Sequence, residues 1–120
     1  MTDLRIRTAD NAERGRFEVS ADEELAGYVT YSVRGAVMSL PHTEVEPRFR
    51  GRGLASALIG DVLDIARSRG LAVLPFCPFV SRYIAGHPDY LPLVPADQRA
   101  RFGLDTAAHG RPSSAGTTGE

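Results

Sequence analysis

The stretch Val45–Leu54, VEPRFRGRGL, joins two halves of the chain whose hydrophobic residues repeat with different periods. Before it, short segments alternate polar and apolar residues, as half-buried β-strands do. After it, apolar residues recur every three or four positions through Leu54–Arg69, which is the spacing of an amphipathic helix. The change of period predicts that a strand passes into a helix within this stretch.

Two glycines and three arginines characterise the junction. Gly51 and Gly53 lack a Cβ, so the backbone can turn sharply there and approach a ligand. The first turn of the following helix has unpaired N–H groups and the positive end of the helix dipole, which together favour an anion. The amides that should face a phosphate belong to Gly51, Arg52, Gly53, Leu54 and Ala55. Positive charge is added at the same place by Arg48, Arg50 and Arg52.

Two familiar phosphate-binding motifs do not fit this loop. A Walker loop requires Gly-Lys-Ser/Thr, and the chain contains no lysine. A dinucleotide-binding fingerprint requires a third glycine near position 56, which is Ser56, and an initial βαβ unit in place of successive strands.

The first half of the chain predicts an antiparallel β-meander with short turns. Residues 1–14 are polar and weakly patterned, which indicates an irregular start before the first strand. Strand patterns follow at Arg16–Ser20, Leu25–Tyr31, Ala36–Leu40 and His42–Glu46, and the last of them ends at Pro47.

The second half predicts a long helix, a buried parallel strand and shorter helical turns. The helix should end at Gly70, and the continuous apolar run Leu71–Leu74 is typical of a parallel strand. One or two helical turns are expected at Phe79–Ile84 and a small helix at Ala96–Gly103. The fold class is therefore α/β (α+β). We expect one domain over residues 1–104 and a disordered tail over residues 105–120, where bulky apolar residues are almost absent.

Composition excludes several classes of function. The formal net charge is −1, so nothing global attracts nucleic acid or an anionic membrane. All fourteen basic residues are arginine, which excludes Schiff-base chemistry on a lysine. Cys77 is the only cysteine, so no intrachain disulfide can form and the reducing cytoplasm is the expected location. No signal peptide and no membrane-spanning run are present in the sequence.

The loop resembles the Arg/Gln-x-x-Gly-x-Gly/Ala motif of the GNAT superfamily of N-acetyltransferases, through Arg48, Gly51 and Gly53. Three further runs resemble the small YjdJ-type branch, that is, minimal N-acetyltransferase domains. They are His42-Thr43-Glu44-Val45, Cys77-Pro78-Phe79-Val80, and Tyr83-Ile84-Ala85-Gly86-His87-Pro88-Asp89-Tyr90. The resemblance covers about residues 15–103. It implies a GNAT-like core, acetyl-CoA as the donor, an amine as the acceptor and no metal.

The resemblance also suggests roles for residues of the last strand before the loop. In the family, a strand amide beside the loop binds the thioester carbonyl, and Val45 and Glu46 are the positions that would supply it. His42 and Glu44 lie two apart on this strand, so their side chains can share a face, and either could be the general base. The alternative is that both belong to a solvated strand face.

Two further residues are candidates for the chemistry. Cys77 could be a small buried residue, a thiol lining the substrate pocket, or a nucleophile that takes the acetyl group. Tyr83 lies near the place where many GNAT enzymes have a tyrosine that protonates the thiolate, although the family spacing is not reproduced and packing explains it equally well. Tyr90 is a weaker candidate. His42, Cys77 and His87 lack the ligand spacing of a metal site.

One family feature is missing from the sequence. A full-size GNAT domain has two helices between its first two strands, and only Ala21-Asp22 separate the corresponding strands here. The acceptor site should therefore be open or completed by another surface. The expected function is acetyl-CoA-dependent N-acetyl transfer to an unidentified small-molecule or protein amine. The alternatives are a non-catalytic acetyl-CoA or CoA-binding or partner-interaction module, and a purely structural domain.

Overall fold

The computed structural model describes residues 5–104 as a mixed α/β fold, which confirms the predicted class. The strands are β1 Ile6–Asn11, β2 Arg16–Ala21, β3 Glu24–Thr30, β4 Ser32–Arg34, β5 Val37–Ser39, β6 Thr43–Val45 and β7 Ala72–Leu74. The α-helices are α1 Leu54–Ser68 and α2 Pro78–Gly86. Short 3-10 turns occur at Ala12–Arg14, Pro47–Phe49, Pro88–Leu93, Ala96–Gln98 and Ala100–Phe102. The tail predicted at 105–120 lies outside the described residues.

Strand β1 corrects the expectation of an irregular start. It pairs antiparallel with β2 along its whole length, from Ile6 opposite Ala21 to Asn11 opposite Arg16. It is an edge strand with little burial on either face, so its side chains alternate too weakly to predict a strand. Its position depends on backbone pairing and on contacts such as Thr8 Oγ1, which donates to Asp61 of α1 at 2.7 Å.

The strands form two sheets, not one continuous meander. One sheet has the order β1-β2-β3-β6 and the other has the order β4-β5-β7, in which β5 and β7 are parallel. Strands β3 and β4 are separated only by Tyr31, and they form a long hairpin with β5 and β6. The predicted strands Ala36–Leu40 and His42–Glu46 are thus successive parts of one hairpin arm, and each part belongs to a different sheet.

A β-bulge at Leu40–His42 separates the two sheets. Ser39 pairs with Ser32 and Thr43 pairs with Val29, so three residues on one arm face two on the other. Leu40 forms a backbone hydrogen bond to β7, in which its N–H donates to Leu74 O at 3.0 Å.

Before the bulge this arm bonds to β7, and beyond the bulge it bonds to β3. The His42 carbonyl accepts from Thr30 of β3 at 2.9 Å. Pro41 lies between these two connections and has no N–H to donate. We call the resulting opening between β6 and residues 75–77 the fork.

Helix α1 covers one face of the β2–β3–β6 region. Its apolar stripe is buried against Phe17 and Val19 of β2 and Val29 of β3, all fully inaccessible. The stripe consists of Leu54, Leu58, Ile59, Val62, Leu63 and Ala66. Within residues 5–104, neither α-helix covers the opposite face of this sheet, where Glu18, Tyr28 and Glu44 lie side by side. We call it the open face.

The C-terminal part of the described chain is more compact than the sequence indicates. Helix α2 extends from Pro78 to Gly86, beyond the one or two turns expected, because Pro78 is well suited to the first helical position. The small helix expected at Ala96–Gly103 is instead a pair of 3-10 turns. None of the helices between residues 5 and 104 has the length and apolar composition needed to cross a membrane.

Candidate active site

The glycine loop has the backbone conformation that its composition predicts. Gly51 and Gly53 have φ values of 80° and 78°, in the left-handed region that favours glycine. A Cβ placed on either glycine would meet no atom within 4 Å, so the space in front of the loop is open. Gly53 is the N-cap of α1 and has no side chain to satisfy the first helical amides, so these amides remain available to a ligand.

A groove of about 200 Å³ lies in front of this loop. Six of the predicted donor-site residues line it, namely Val45, Arg50, Gly51, Gly53, Leu54 and Ala55. Phe49, Ser56 and Phe79 also line it and were not predicted as site residues. Phe79 belongs to the Cys-Pro-Phe-Val run, so that run was the signal that could have identified it. Arg48, Arg52 and Glu46 do not line the groove.

The three loop arginines differ in their surroundings. Arg48 lies 3.2 Å from a Glu24 carboxylate oxygen, and its guanidinium stacks over Phe49. Arg50 donates from Nε to Val45 O at 3.3 Å and approaches Glu44 Oε2 at 3.9 Å. Arg52 forms no ion pair or hydrogen bond to any residue in the range 5–104.

The hydrogen bonds of β6 distinguish the two amides predicted to bind a carbonyl. Glu46 donates its N–H to Ala26 O of β3 at 2.7 Å, so this amide is not free for a substrate. Alternate residues of an antiparallel strand direct their amides to opposite edges, and β6 is the edge strand. The Val45 N–H therefore points to the fork, as the Val45 carbonyl does where Arg50 bonds it. Of the two predicted amides, the one that points to the fork is that of Val45.

His42 and Glu44 meet on the open face, as the strand period predicts. His42 Nε2 lies 3.1 Å from Glu44 Oε1, and the two side chains are 57% and 47% exposed. The Tyr28 ring on β3 lies beside them, with its centroid 6.3 Å from that of His42. A histidine bonded to a carboxylate can accept a proton while the carboxylate stabilises the resulting charge.

Cys77 closes the inner end of the fork. Its amide donates to Leu40 O at 2.9 Å, and its thiol donates to Thr43 Oγ1 at 3.3 Å. The residue is only 6% exposed and belongs to the hydrophobic core. Of its three predicted roles, burial favours a small core residue beside the site.

Tyr83 packs away from the groove. Its hydroxyl lies against α1 at Gly60, where an added Cβ would be 2.8 Å from it, and its ring stacks on His87 at 4.0 Å. Burial raises the pKa of Tyr83, with smaller contributions from Asp64 and Asp61. Tyr83 therefore does not lie at the fork, and its contacts are those of a packing residue.

Tyr90 and His87 have structural contacts as well. Tyr90 donates its hydroxyl to Asp64 Oδ1 at 2.9 Å, and burial together with this bond raises the pKa of Tyr90 to about 12. His87 Nδ1 lies 2.8 Å from Tyr83 O at the end of α2. Across residues 5–104, no three His, Cys, Asp or Glu side chains form a group that could hold a metal ion.

The turn between β2 and β3 has only two residues. Asp22 and Glu23 both have positive φ, 51° and 74°, as a tight hairpin turn requires. Because β1 precedes β2, the first two strands are joined by the 3-10 turn Ala12–Arg14 and Gly15, so the Ala21-Asp22 position expected from the sequence was wrong. The two helices of a full-size domain are absent between β1 and β2.

A glycine loop that opens a helix, with strands that diverge beside it, surrounds one groove in this α/β domain. The family described as GCN5-related N-acetyl-transferase matches residues 16–93, and the chain belongs to this family. Acetyl transfer is the general chemistry of the family.

Two solved structures support the same fold, and a third matches this chain over a shorter stretch. A GCN5-like protein from Staphylococcus aureus superposes with a TM-score of 0.56 at 23% identity, covering 78% of this chain and 90% of that one. The ribosomal-protein-S18-alanine N-acetyltransferase from Escherichia coli has a TM-score of 0.50 at 16% identity, covering 59% and 64%. Ard1 from Thermoplasma volcanium has a TM-score of 0.45 at 21% identity, covering 49% and 41%. The present chain thus spans less than two thirds of the latter two chains.

Proposed function

We propose that this chain is an acetyl-CoA-dependent N-acetyltransferase that transfers an acetyl group to an amine, in the cytoplasm. The observation that carries the proposal is the groove, where the glycine loop, the free amides of α1 and the edge amide of Val45 converge. The three YjdJ-type runs support assignment to the minimal branch of the family. The first contains β6, the second leads from the fork into α2, and the third contains the end of α2 and the start of the next 3-10 turn.

The donor would be held by its diphosphate at the loop. The amides from Gly51 to Ala55 and the positive end of α1 favour that anion, and the arginines add charge. Val45 of β6 and Phe79 of α2 both line the groove, so an extended chain lying between them would direct its thioester towards β6. The Val45 N–H would then donate a hydrogen bond to the thioester carbonyl oxygen.

The reaction needs a neutral amine and one base. The amine nitrogen forms a bond to the acetyl carbon, the carbon–sulfur bond breaks, and the thiolate leaves. The amine proton passes to the His42–Glu44 pair, and the thiolate takes a proton from water. Because α1 covers the other face of the sheet, the acceptor would approach from the open face, where His42 and Glu44 are exposed. The short 3-10 turn that joins β1 and β2, in place of two helices, leaves room for a large acceptor, including a protein amine.

Donor binding is tested by thermal unfolding with CoA in the unmodified chain and in two variants. Gly51→Trp fills the open space before the loop, while Gly51→Ala imposes the same backbone strain without the bulk. Binding at about a hundred times Kd stabilises a protein by about 2.7 kcal/mol. We expect this stabilisation in the unmodified chain and in Gly51→Ala, and its loss in Gly51→Trp. Equal behaviour of the two variants, or no response of the unmodified chain, would contradict the donor site.

Transfer is tested by incubating the protein with acetyl-CoA and a panel of small-molecule and peptide amines. Free thiol release and the mass of the acceptor are measured together, because thiol release alone also reports hydrolysis. We expect one acetyl group on an amine and a matching amount of thiol. CoA-dependent stabilisation without acceptor acetylation would support the alternative, a non-catalytic CoA-binding module that acts with a partner.

A further inference from the structure

Arg50 lies between the donor groove and the His42–Glu44 pair. It lines the groove, and its Nε donates to Val45 O at 3.3 Å. Its terminal nitrogen lies 3.9 Å from Glu44 Oε2, while the other oxygen of Glu44 lies 3.1 Å from His42. One carboxylate is thus shared between a loop arginine and the histidine of the base pair.

The other charged and aromatic groups near the His42–Glu44 pair have partners of their own. Tyr28 faces His42 from β3, and the guanidinium of Arg16 on β2 stacks over the Tyr28 ring at 4.4 Å. Arg16 is paired with Glu18 at 2.7 Å, so its charge is balanced on its own strand. Cys77, on the other arm of the fork, contacts Thr43 on the opposite face of β6.

Among residues 5–104, Arg50 is the arginine whose guanidinium approaches the Glu44 carboxylate. The other loop arginines differ from it, because Arg48 is paired with Glu24 and Arg52 has no partner in the described part of the chain.

We propose that Arg50 exchanges the Glu44 carboxylate for the donor's diphosphate, so that donor binding frees Glu44 to assist His42 in taking the amine proton. This rests on the proposed function of the groove. Arg50 acts here as a positioning residue. An exposed pair at this distance is weak, whereas a diphosphate offers more charge and several acceptor oxygens to the same guanidinium.

The exchange would couple the two sites. While Arg50 contacts Glu44, one carboxylate oxygen is engaged by the guanidinium. When Arg50 turns to the diphosphate, both oxygens of Glu44 are available to His42 and to the amine. By reciprocity, loss of the Glu44 charge must release Arg50 and increase the affinity for CoA.

A double-mutant cycle on CoA affinity tests this reciprocity. Calorimetric titrations compare the unmodified chain, Glu44→Gln, Arg50→Gln and the double variant, with CoA taken to millimolar concentration. We expect Glu44→Gln to bind CoA about two- to five-fold more tightly, as the release of one exposed pair allows. In the Arg50→Gln background the same change should have no effect. Arg52→Gln is the matched background, since it removes an equal charge from the same loop, and there Glu44→Gln should again tighten binding.

The protonation of His42 provides a readout that a structural role of Arg50 would not move. Imidazole ¹⁵N shifts of His42, assigned with His42→Gln, report the protonated fraction at a fixed pH near 6.5. We expect saturating CoA to increase this fraction in the unmodified chain and in Arg52→Gln, and to increase it distinctly less in Arg50→Gln.

The outcomes separate this inference from the function on which it rests. If Glu44→Gln tightens CoA binding equally with and without Arg50, the effect is a through-space charge effect and the exchange is overturned. It is also overturned if Arg50→Gln abolishes binding altogether, because Arg50 would then organise the loop. If the unmodified chain does not bind CoA, the proposed function fails and this inference fails with it.

Discussion

Gly27 of β3 lies directly opposite Val45 of β6, and the two backbones are so close that a Cβ on Gly27 would be 2.5 Å from the Glu44 carbonyl oxygen. Because Gly27 has no side chain, β6 can lie this close to β3. The close pairing in turn directs the Glu44 amide to β3 and the Val45 amide to the fork.

Gly27→Ala should therefore separate β6 from β3. The atoms that the new methyl group meets belong to the backbone and to the Val45 side chain, so they cannot move aside cheaply. We expect a loss of about 3 kcal/mol in the free energy of unfolding, measured in urea. Gly86→Ala is the control, because a Cβ there meets no atom within 4 Å, and its stability should be unchanged or higher. Equal stability of the two variants would show that β6 can shift without cost.

The His42–Glu44 pair should act as one unit in proton transfer. Replacing either residue by glutamine removes a base or its charged partner, and we expect kcat to fall by about a hundred-fold for each variant. The double variant should be little worse than either single one, as for groups that work together. Initial rates of acceptor acetylation at saturating acetyl-CoA measure this. No loss in either variant would assign both residues to a solvated strand face, and losses that multiply would mean that the two residues act separately and not as a pair.

Cys77 should be dispensable for the chemistry. Its thiol is buried and donates to Thr43, so it is poorly placed to attack a thioester in the groove. We expect Cys77→Ala to retain acetyl transfer within a few-fold and to lose about 1 kcal/mol of stability from the deleted thiol and its hydrogen bond. Intact-mass spectra of the unmodified chain with acetyl-CoA should show no lasting acetyl adduct. An adduct that disappears in Cys77→Ala, together with lost activity, would establish a covalent route instead.

The elements that the sequence predicts best are those with a strong period or a special backbone requirement. Helix α1 extends over Leu54–Ser68, almost as predicted, because its apolar stripe is continuous and faces a sheet. The parallel strand β7 follows from a short continuous apolar run, and β5 lies within the predicted strand Ala36–Leu40. The left-handed glycines of the loop were visible for the same reason, since few other residues take that conformation.

The missed features depend on distant parts of the chain. Strand β1 is exposed on both faces, and only its partner β2 defines it. The fork depends on a single extra residue at Leu40–His42, which leaves the local pattern strand-like on either side. Likewise, the bond from Glu46 to Ala26 and the approach of Arg50 to Glu44 depend on register, and residue spacing does not encode register.

Alkaline pH should loosen the attachment of the C-terminal turns to α1 through Tyr90. Its pKa is raised to about 12 by burial and by the hydrogen bond to Asp64, and the pKa of Tyr83 is raised as well. An unfolded tyrosine ionises near pH 10, so the folded state binds its proton more tightly. The contribution to stability is complete below pH 10 and declines as the pH rises from about 10 to about 12.

Tyr90→Phe should cost about 1 kcal/mol at pH 8 from the lost hydrogen bond, and its stability should decline less steeply between pH 10 and 12. Urea midpoints at several pH values measure both effects, and parallel curves for the two proteins would mean that Tyr90 is already ionised or solvated in the folded state.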